Sequence, residues 1–357
     1  MSKDKKNKEI TFANAINDAQ RVALSTDNNV ICYGLGADDP KRIFGTTEGL
    51  QEEFGKERVF DMPTSENAMT GIAVGASLAG IRPVMIHQRL DFFLLAMDQL
   101  VNSAAKWHYT FNGQASVPIT IRLILGRGWG QGPTHSQNLQ SWFAHIPGLK
   151  VVMPAFPDDA KGLLLSSIFD DNPVVFLEHR WLHNMTGSVP DGDCRVPLGK
   201  ARTVRDGTDI TIVSMSYMTI EGLHSVDHLR NLNINCELID LRTVSPIDWQ
   251  AIFESVRKTG RLLVLDTGAE TGSIAGEIIT RVCKECWDEL KSHPDRIAMP
   301  DCPEPTSYGL TKDFYPTADT ITFKICEMLG KDIAHELLIS EQKEHHDVPG
   351  DWFKGPF

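Results

Sequence analysis

The segment from Asp61 to Gly80, DMPTSENAMTGIAVGASLAG, constrains the fold of this 357-residue chain more than any other segment. It begins as a short strand, breaks at Pro63 and continues as a helix that Thr64 or Ser65 can cap. The helix is rich in glycine and alanine, although each interior glycine costs about 1 kcal/mol of helix propensity. Such a sequence is reasonable only where another group must approach the helix backbone closely.

Glu66 lies in the first turn of this helix. The helix dipole favours a carboxylate there by about 0.3–1 kcal/mol. The residues by themselves leave two interpretations open: an acid that only stabilises the helix N-terminus, and an acid that has a functional contact.

The composition argues against nucleic-acid and membrane partners. The net charge is −12, from 35 Lys and Arg against 47 Asp and Glu, which is unfavourable for binding nucleic acid. No apolar run approaches the roughly 20 residues that span a bilayer. The sequence MSKDKKNKEI at the amino terminus has no apolar centre, so we expect no signal peptide and a cytoplasmic protein.

The seven cysteines are scattered along the chain, as is common in a reducing cytoplasm. Cys283 and Cys286 form a CxxC pair within a segment of helical pattern. No second pair follows at zinc-site spacing, so two half-buried thiols are favoured over a metal site.

Strands and helices alternate along most of the chain, which predicts an α/β fold with two doubly wound domains on parallel sheets. In the first half the strands include Arg82 to His87 and Ile119 to Leu125. A long helix is predicted from Phe92 to Tyr109. Its inward-facing residues should be Leu94, Leu95, Met97, Leu100, Val101 and Ala104.

Turn residues from Thr186-Gly187 to Pro197 separate the two alternations. We predict a first domain over residues 1–190, a linker over 191–205, a second domain over 206–335 and a tail over 336–357. The tail contains Trp352, Phe353 and Phe357, which fits either disorder or docking on a neighbouring surface.

Three motifs together resemble one known family. They are the segment around Glu66, the sequence DQLVNSAAK from Asp98 to Lys106, and GPTHSQ from Gly132 to Gln137. Their order and spacing resemble the beta subunit of the thiamine-diphosphate-dependent decarboxylating component of 2-oxoacid dehydrogenases, with transketolase as a more distant relative. The resemblance covers about Ile10 to Gly330. It implies a thiamine pyrimidine-binding domain followed by a transketolase C-terminal-type domain.

The resemblance also implies roles for individual residues. Glu66 would contact the aminopyrimidine ring of the cofactor. Phe92, with Phe93 as its rival, would provide the aromatic platform for that ring, worth about 0.5–1.5 kcal/mol beyond area burial. His135 would face the substrate and orient or protonate its oxygen, which suits a group that titrates near neutrality. The implied cofactor-binding set is Ser65, Glu66, Met69 and Phe92.

Metal binding is expected to divide between this chain and a partner. The family often holds a monovalent cation such as potassium on the implied set Ser167, Ile168, Asp170 and Asn172. A helix C-terminus and turn before Pro173 explain the same residues equally well. The Gly-Asp-Gly motif that holds magnesium and diphosphate in the superfamily is missing. The resemblance therefore implies an alpha subunit that supplies this half-site, in an α2β2 tetramer.

Three regions depart from the family. His87-Gln88-Arg89 would add cations near the expected pocket, and Arg127 and Trp129 occupy the glycine-rich loop. These residues fit an anionic or polyhydroxylated substrate bulkier than pyruvate, or else a contact with the alpha subunit. The tail extends beyond the usual end of the family, which puts a partnership with a lipoyl acyltransferase in doubt.

The first functional hypothesis is a subunit that decarboxylates a 2-oxo acid and transfers the acyl unit to lipoamide. The second is a transketolase-like or carboligating enzyme that passes a two-carbon unit to an aldehyde or sugar. The third is a non-catalytic scaffold subunit, against which the presence of Glu66 and His135 argues. The sequence does not specify the substrate.

Overall fold

A computed structural model describes residues 7–38, 43–126, 131–312 and 314–331. Arg127, Trp129 and the predicted tail over 336–357 lie outside these residues. The strands are β1 (Asn7–Thr11), β2 (Val30–Gly34), β3 (Val59–Asp61), β4 (Arg82–His87), β5 (Thr120–Leu125), β6 (Lys150–Val152), β7 (Val174–His179), β8 (Thr186–Pro190), β9 (Arg202–Arg205), β10 (Ile210–Ser214), β11 (Cys236–Asp240), β12 (Thr243–Ser245), β13 (Leu262–Ala269) and β14 (Asp295–Met299).

The α-helices are α1 (Phe12–Thr26), α2 (Leu50–Phe54), α3 (Glu66–Leu78), α4 (Leu90–Phe93), α5 (Ala105–Thr110), α6 (Gln140–Ala144), α7 (Pro157–Ile168), α8 (Tyr217–Asn231), α9 (Trp249–Thr259), α10 (Ile274–Glu285), α11 (Tyr308–Thr311) and α12 (Ala318–Leu329). Short 3-10 turns cover Leu94–Ala96, Arg180–Leu182 and Trp287–Glu289, and a π-helical segment covers Gln99–Ala104. Among the described residues, no helix has both the length and the apolar character needed to cross a membrane.

Two mixed sheets carry the fold. The first has seven strands in the order β12-β6-β7-β5-β4-β2-β3, and the second has five in the order β14-β13-β10-β11-β9. Adjacent strands are parallel except at β12 and β9, each of which pairs antiparallel at one sheet edge. The α/β prediction is confirmed, whereas the two antiparallel edge strands were not predicted, because short strands give little periodic signal.

The two sheets share a core. One apolar cluster joins Met85 and Leu123 of the first sheet to Val213 and Val264 of the second. The strand β12 follows β11 in sequence but pairs with β6 of the first sheet. The second half of the chain therefore contributes directly to the sheet that positions the site.

The turn-rich segment after β7 is not entirely a linker. Its first five residues form β8, which pairs antiparallel with β1 from the opposite end of the first half. Glycine and proline predicted a loop here, but an edge strand tolerates both when its partner supplies the hydrogen bonds.

The prediction of one continuous helix from Phe92 to Tyr109 is wrong. The chain passes instead through α4, a 3-10 turn, the π-helical segment and α5. Because these segments change the helical phase, Leu95 is 69% exposed although it was predicted to face inward. Leu100 and Ala104 are buried as expected.

Candidate active site

The candidate site lies where parallel strands of the first sheet end. The strand β3 leads into α3 and Glu66, β4 leads into α4 and Phe92, and β5 leads into the loop that carries His135. Because β3, β2, β4 and β5 are parallel neighbours, their carboxyl ends meet at one edge of the sheet. Ligands of open α/β sheets bind at such edges.

Glu66 is the first residue of α3 and is only 6% exposed. Its carboxylate has no hydrogen-bond or ion-pair partner among the described residues, whereas its backbone oxygen accepts a 2.8 Å bond from the Thr70 hydroxyl. Buried carboxylates are normally paired, since desolvation is costly. The Glu66 carboxylate is therefore available to accept a hydrogen bond from a ligand.

The residues beside Glu66 fix the start of α3. Ser65 is the exposed N-cap residue, but its side chain makes no capping bond. The Tyr33 hydroxyl on β2 donates a 3.2 Å bond to the Met69 backbone oxygen, which ties the first turns of α3 to the sheet. The cofactor contacts expected for Ser65 and Met69 stay predictions.

The structure brings Phe92 and His135 together. Their rings meet edge to face with centroids 5.4 Å apart, and both residues are half-buried. The rival Phe93 is fully buried and packs on His87 at 4.9 Å and Phe143 at 6.4 Å. The geometry thus favours Phe92 over Phe93 as a ring that a ligand can reach.

Two hydrogen bonds bracket the pair of rings. The Arg89 guanidinium donates to the Gln131 side-chain oxygen at 2.5 Å, and the Gln137 amide donates to Asp91 at 2.7 Å. The segments before Phe92 and around His135 are thereby held together on both sides. The Thr134 hydroxyl lies 2.9 Å from Nδ1 of His135, which leaves Nε2 as the nitrogen for another partner.

The second half of the chain also reaches this loop. A Cβ on Gly132, whose φ is +67°, would lie 2.1 Å from the Thr306 hydroxyl oxygen, so only glycine fits. Burial and the nearby Asp91 raise the pKa of Glu304. Sequence reasoning missed both Glu304 and Thr306, because they are about 170 positions from the motifs and belong to none of them.

Gly126 directly follows β5 and has φ +81°, and a Cβ there would lie 2.2 Å from Nε2 of His179. Glycine at this position therefore allows the His179 ring, at the end of β7, to approach the backbone closely.

His87 does not add positive charge. It is fully buried, and burial lowers its pKa to about 3, so the ring is neutral at neutral pH. Neither ring nitrogen has a hydrogen-bond partner among the described residues. Arg89 is also buried, which lowers its pKa to about 10 and leaves it charged. Arg127 lies outside the described residues.

The expected cation set does not fit a monovalent ion in this arrangement. Arg82 donates to the backbone oxygen of Asp170 at 3.0 Å and reaches that of Ile168 at 3.5 Å. Lys150 bonds the Asp170 carboxylate, which also accepts from the Asn172 backbone N–H. The Ser167 hydroxyl donates to the backbone oxygen of Leu163. Two side-chain cations therefore already bond the backbone oxygens of Ile168 and Asp170 and the Asp170 carboxylate.

Within the described ranges, no group of three or more His, Cys, Asp and Glu side chains could hold a metal ion. Cys283 and Cys286 are both free thiols, the former half-buried and the latter buried.

Comparison with known proteins identifies the two halves of the chain. Residues 8–185 match the transketolase pyrimidine-binding domain, and residues 199–321 match the transketolase C-terminal domain. A split-gene transketolase, solved as an inactive beta4 tetramer, superposes with a TM-score of 0.72 over 90% of this chain and 99% of that chain, at 20% identity. That likeness concerns the fold.

Curated relatives are closer in sequence. The beta subunit of acetoin:2,6-dichlorophenolindophenol oxidoreductase from Cupriavidus necator is 38% identical, covering 88% of this chain and 96% of the relative. The pyruvate dehydrogenase E1 beta subunit from Rickettsia felis is 38% identical with the same coverage. The 2-oxoisovalerate dehydrogenase beta subunit from Bacillus subtilis is 36% identical over 89% of this chain and 98% of the relative. The chain therefore belongs to the transketolase-type family of E1 and acetoin dehydrogenase beta subunits.

Proposed function

We propose that this chain is the beta subunit of a thiamine-diphosphate-dependent enzyme that decarboxylates a 2-oxo acid, or cleaves a related hydroxyketone, and transfers the acyl unit. The single observation that carries the proposal is Glu66, a buried residue whose carboxylate has no partner among the described residues, at the sheet edge beside the Phe92–His135 pair. Family membership supports it, since the relatives are named for pyruvate, 2-oxoisovalerate and acetoin.

The chain's own residues fit the pyrimidine half of the cofactor. Thiamine diphosphate, when bound, supplies the nucleophilic carbon that adds to the substrate carbonyl. Glu66 would accept a hydrogen bond from the aminopyrimidine ring nitrogen and so satisfy its own buried charge. Phe92 offers a half-buried ring face to the same group, and Ser65 and Met69 would border it.

His135 would act on the substrate. Its contact with Phe92 places the imidazole at the same opening, and Thr134 engages one of its nitrogens. The other nitrogen can donate to, or protonate, the substrate oxygen as charge develops there. The bonds from Arg89 and Asp91 to the loop would preserve this position during turnover.

A partner subunit would complete the site. The Gly-Asp-Gly signature for diphosphate and magnesium is missing from the sequence, so an alpha subunit would hold that half, in an α2β2 assembly. The outer face of α3 supports such a contact, since Ile72 is 59% and Leu78 is 41% exposed. A lipoyl acyltransferase would be the acyl acceptor.

The proposal is tested with Glu66→Gln in the complex with the partner that co-purifies from the native source. We expect turnover to fall about a hundredfold or more, because the uncharged amide cannot replace the carboxylate. The assay is dye reduction with pyruvate, 2-oxoisovalerate and acetoin as separate substrates. Formation of reduced lipoamide separates acyl transfer from the transketolase-like alternative, which needs no acyltransferase.

Glu277→Gln is the matched control, because Glu277 also lies in the first turn of a helix but is exposed and paired with Arg281. Its activity should equal that of the wild type. Full activity in a pure, assembled Glu66→Gln complex would sink the assignment.

A further inference from the structure

Arg180 is a buried cation that has no counter-ion among the described residues. It follows β7 directly, at the same sheet edge as the candidate site, and is 1% exposed. None of its three guanidinium nitrogens has a hydrogen-bond partner among the described residues. Since a guanidinium carries five N–H donors, this is an unusual deficit for a native interior.

Arg122, another fully buried arginine, has the hydrogen-bond partners expected of a structural arginine. Arg122 makes two bonds to the Glu178 carboxylate, at 2.6 and 2.9 Å, and a third to Gln20 at 2.8 Å. Both arginines are inaccessible to solvent, yet only Arg122 is paired. The difference indicates that Arg180 is not simply a cross-link within the core.

A second cation accompanies Arg180. The guanidinium carbon of Arg180 lies 4.4 Å from the centroid of the Phe44 ring, and that of Arg89 lies 5.4 Å from the same centroid. Burial and the nearby Arg89 lower the pKa of Arg180 to about 9, so it stays charged at neutral pH. Cation–π contact offsets part of the cost of burying Arg180. Burial lowers the pKa of Arg89 while the nearby Asp91 raises it, and its guanidinium bonds Gln131, whereas Arg180 has neither kind of partner among the described residues.

The segment that carries Phe44 is strained. Ile43 and Phe44 have φ values of 46° and 58°, which side chains other than glycine rarely adopt. Such strain is retained where surrounding contacts hold it, and it concentrates at ligand sites. Here the strained turn places the Phe44 ring against both guanidinium groups.

The cluster adjoins the candidate active site. Arg89 precedes Phe92 by three residues, and its guanidinium donates to Gln131 on the loop that carries His135. An anionic group held by Arg180 and Arg89 would therefore belong to a molecule that also reaches the Phe92–His135 pair.

We propose that Arg180 and Arg89, gathered on Phe44, form a subsite for an anionic carboxylate or phosphate group of the substrate. This inference rests on the proposed function for its account of what the substrate is. The substrate would then be a molecule that carries an anionic group in addition to the groups at its reacting centre. Arg180 would be a specificity-determining residue, with no role in the chemistry of the reacting atoms.

The test uses the full chain without cofactor, with inorganic phosphate and glutarate as separate probes against a chloride background of equal ionic strength. Calorimetry should detect saturable binding of at least one probe, and the preferred probe distinguishes a phosphate from a carboxylate group. Arg180→Met should weaken that binding about tenfold or more, as expected for losing a charge-assisted contact. Arg89→Gln should weaken it in the same direction, and Arg180→Lys should retain part of it.

Arg205→Met is the control, because Arg205 is a partly exposed arginine paired with Asp227. It should bind the probe as the wild type does. Thermal unfolding in probe-free buffer gives a second readout. Arg180→Met should unfold at the wild-type temperature or higher, since it removes an unpaired buried charge.

Absence of probe binding by the wild type, or equal binding by Arg180→Met and the wild type, would overturn the proposal. A lower unfolding temperature of Arg180→Met with unchanged probe binding would identify a structural cation instead. If Arg180→Met does not fold, Arg89→Gln and Arg180→Lys decide the question. Glu66→Gln should bind the probe normally, so loss of the anion subsite and loss of the proposed function are observed separately.

Discussion

Asp240 should make the protein less stable as the pH rises, and Asp240→Asn should remove this effect. The residue ends β11 and is fully buried. One carboxylate oxygen accepts from the Arg242 backbone N–H at 3.2 Å and from the Thr219 hydroxyl at 3.4 Å, and the other has no partner among the described residues. Burial and the nearby Asp159 raise the pKa of Asp240 from 3.8 to about 7.

The sign follows from linkage. A raised pKa means that the folded state binds the proton more tightly than the unfolded state does. Asp240 therefore costs nothing below about pH 4, costs increasingly more as the pH rises to about 7, and then costs a constant amount. Three pKa units correspond to about 4 kcal/mol, of which about 3 kcal/mol is incurred between pH 5 and pH 8.5.

The assay is urea unfolding of the wild type and Asp240→Asn at pH 5 and pH 8.5. We expect the variant to gain about 3 kcal/mol relative to the wild type between the two values. Asp266→Asn is the matched control, because Asp266 is equally buried but accepts bonds from Gln140, Ser273 and two backbone N–H groups. That variant should be destabilised. An Asp240→Asn effect that is destabilising and identical at both pH values would refute the reasoning.

Two other predictions concern the buried ion pair and the partner. Arg122→Met should cost about 3–5 kcal/mol of unfolding free energy, because it leaves the Glu178 carboxylate buried without its cation. Replacing both residues by apolar ones should restore most of this stability. Equal losses in the single and double variants, measured by urea unfolding, would contradict this. The isolated chain should bind thiamine diphosphate poorly even with magnesium, because the diphosphate half of the site is assigned to the alpha subunit; micromolar, magnesium-dependent binding by calorimetry would show otherwise.

Regular elements with strong periodicity were predictable from the sequence. The strand β4 begins and ends at the predicted residues, and β5 begins one residue after the predicted start and ends at the predicted Leu125. These elements are specified by local patterns that residues elsewhere do not alter. Pairing of β1 with β8 joins residues about 180 positions apart, and neither strand alternates clearly, so no local pattern could reveal it.

The candidate site shows the same division. Glu66 and His135 were accessible to sequence reasoning because each lies in a short motif, and Phe92 because it shortly precedes one. Their environment was not, because burial and charge depend on distant residues. His87 was expected to be a cation, yet its burial leaves the ring neutral. Arg82, more than 80 positions away, bonds the backbone oxygens of two of the expected potassium ligands, Ile168 and Asp170, and no local pattern showed this.

The glycines of α3 do not show, within the described residues, the close approach that the sequence predicted. Their number predicted a close approach to the helix backbone, but nothing described lies within 4 Å of a Cβ built on Gly75. At Gly71 the nearest atom is the Gln99 side-chain oxygen at 3.5 Å, an ordinary contact. Exposed Ile72 lies next to Gly71 on this helix. If these glycines allow another group to pack closely on α3, we expect that group to belong to another subunit. This expectation agrees with the missing diphosphate half of the site, which is assigned to the alpha subunit.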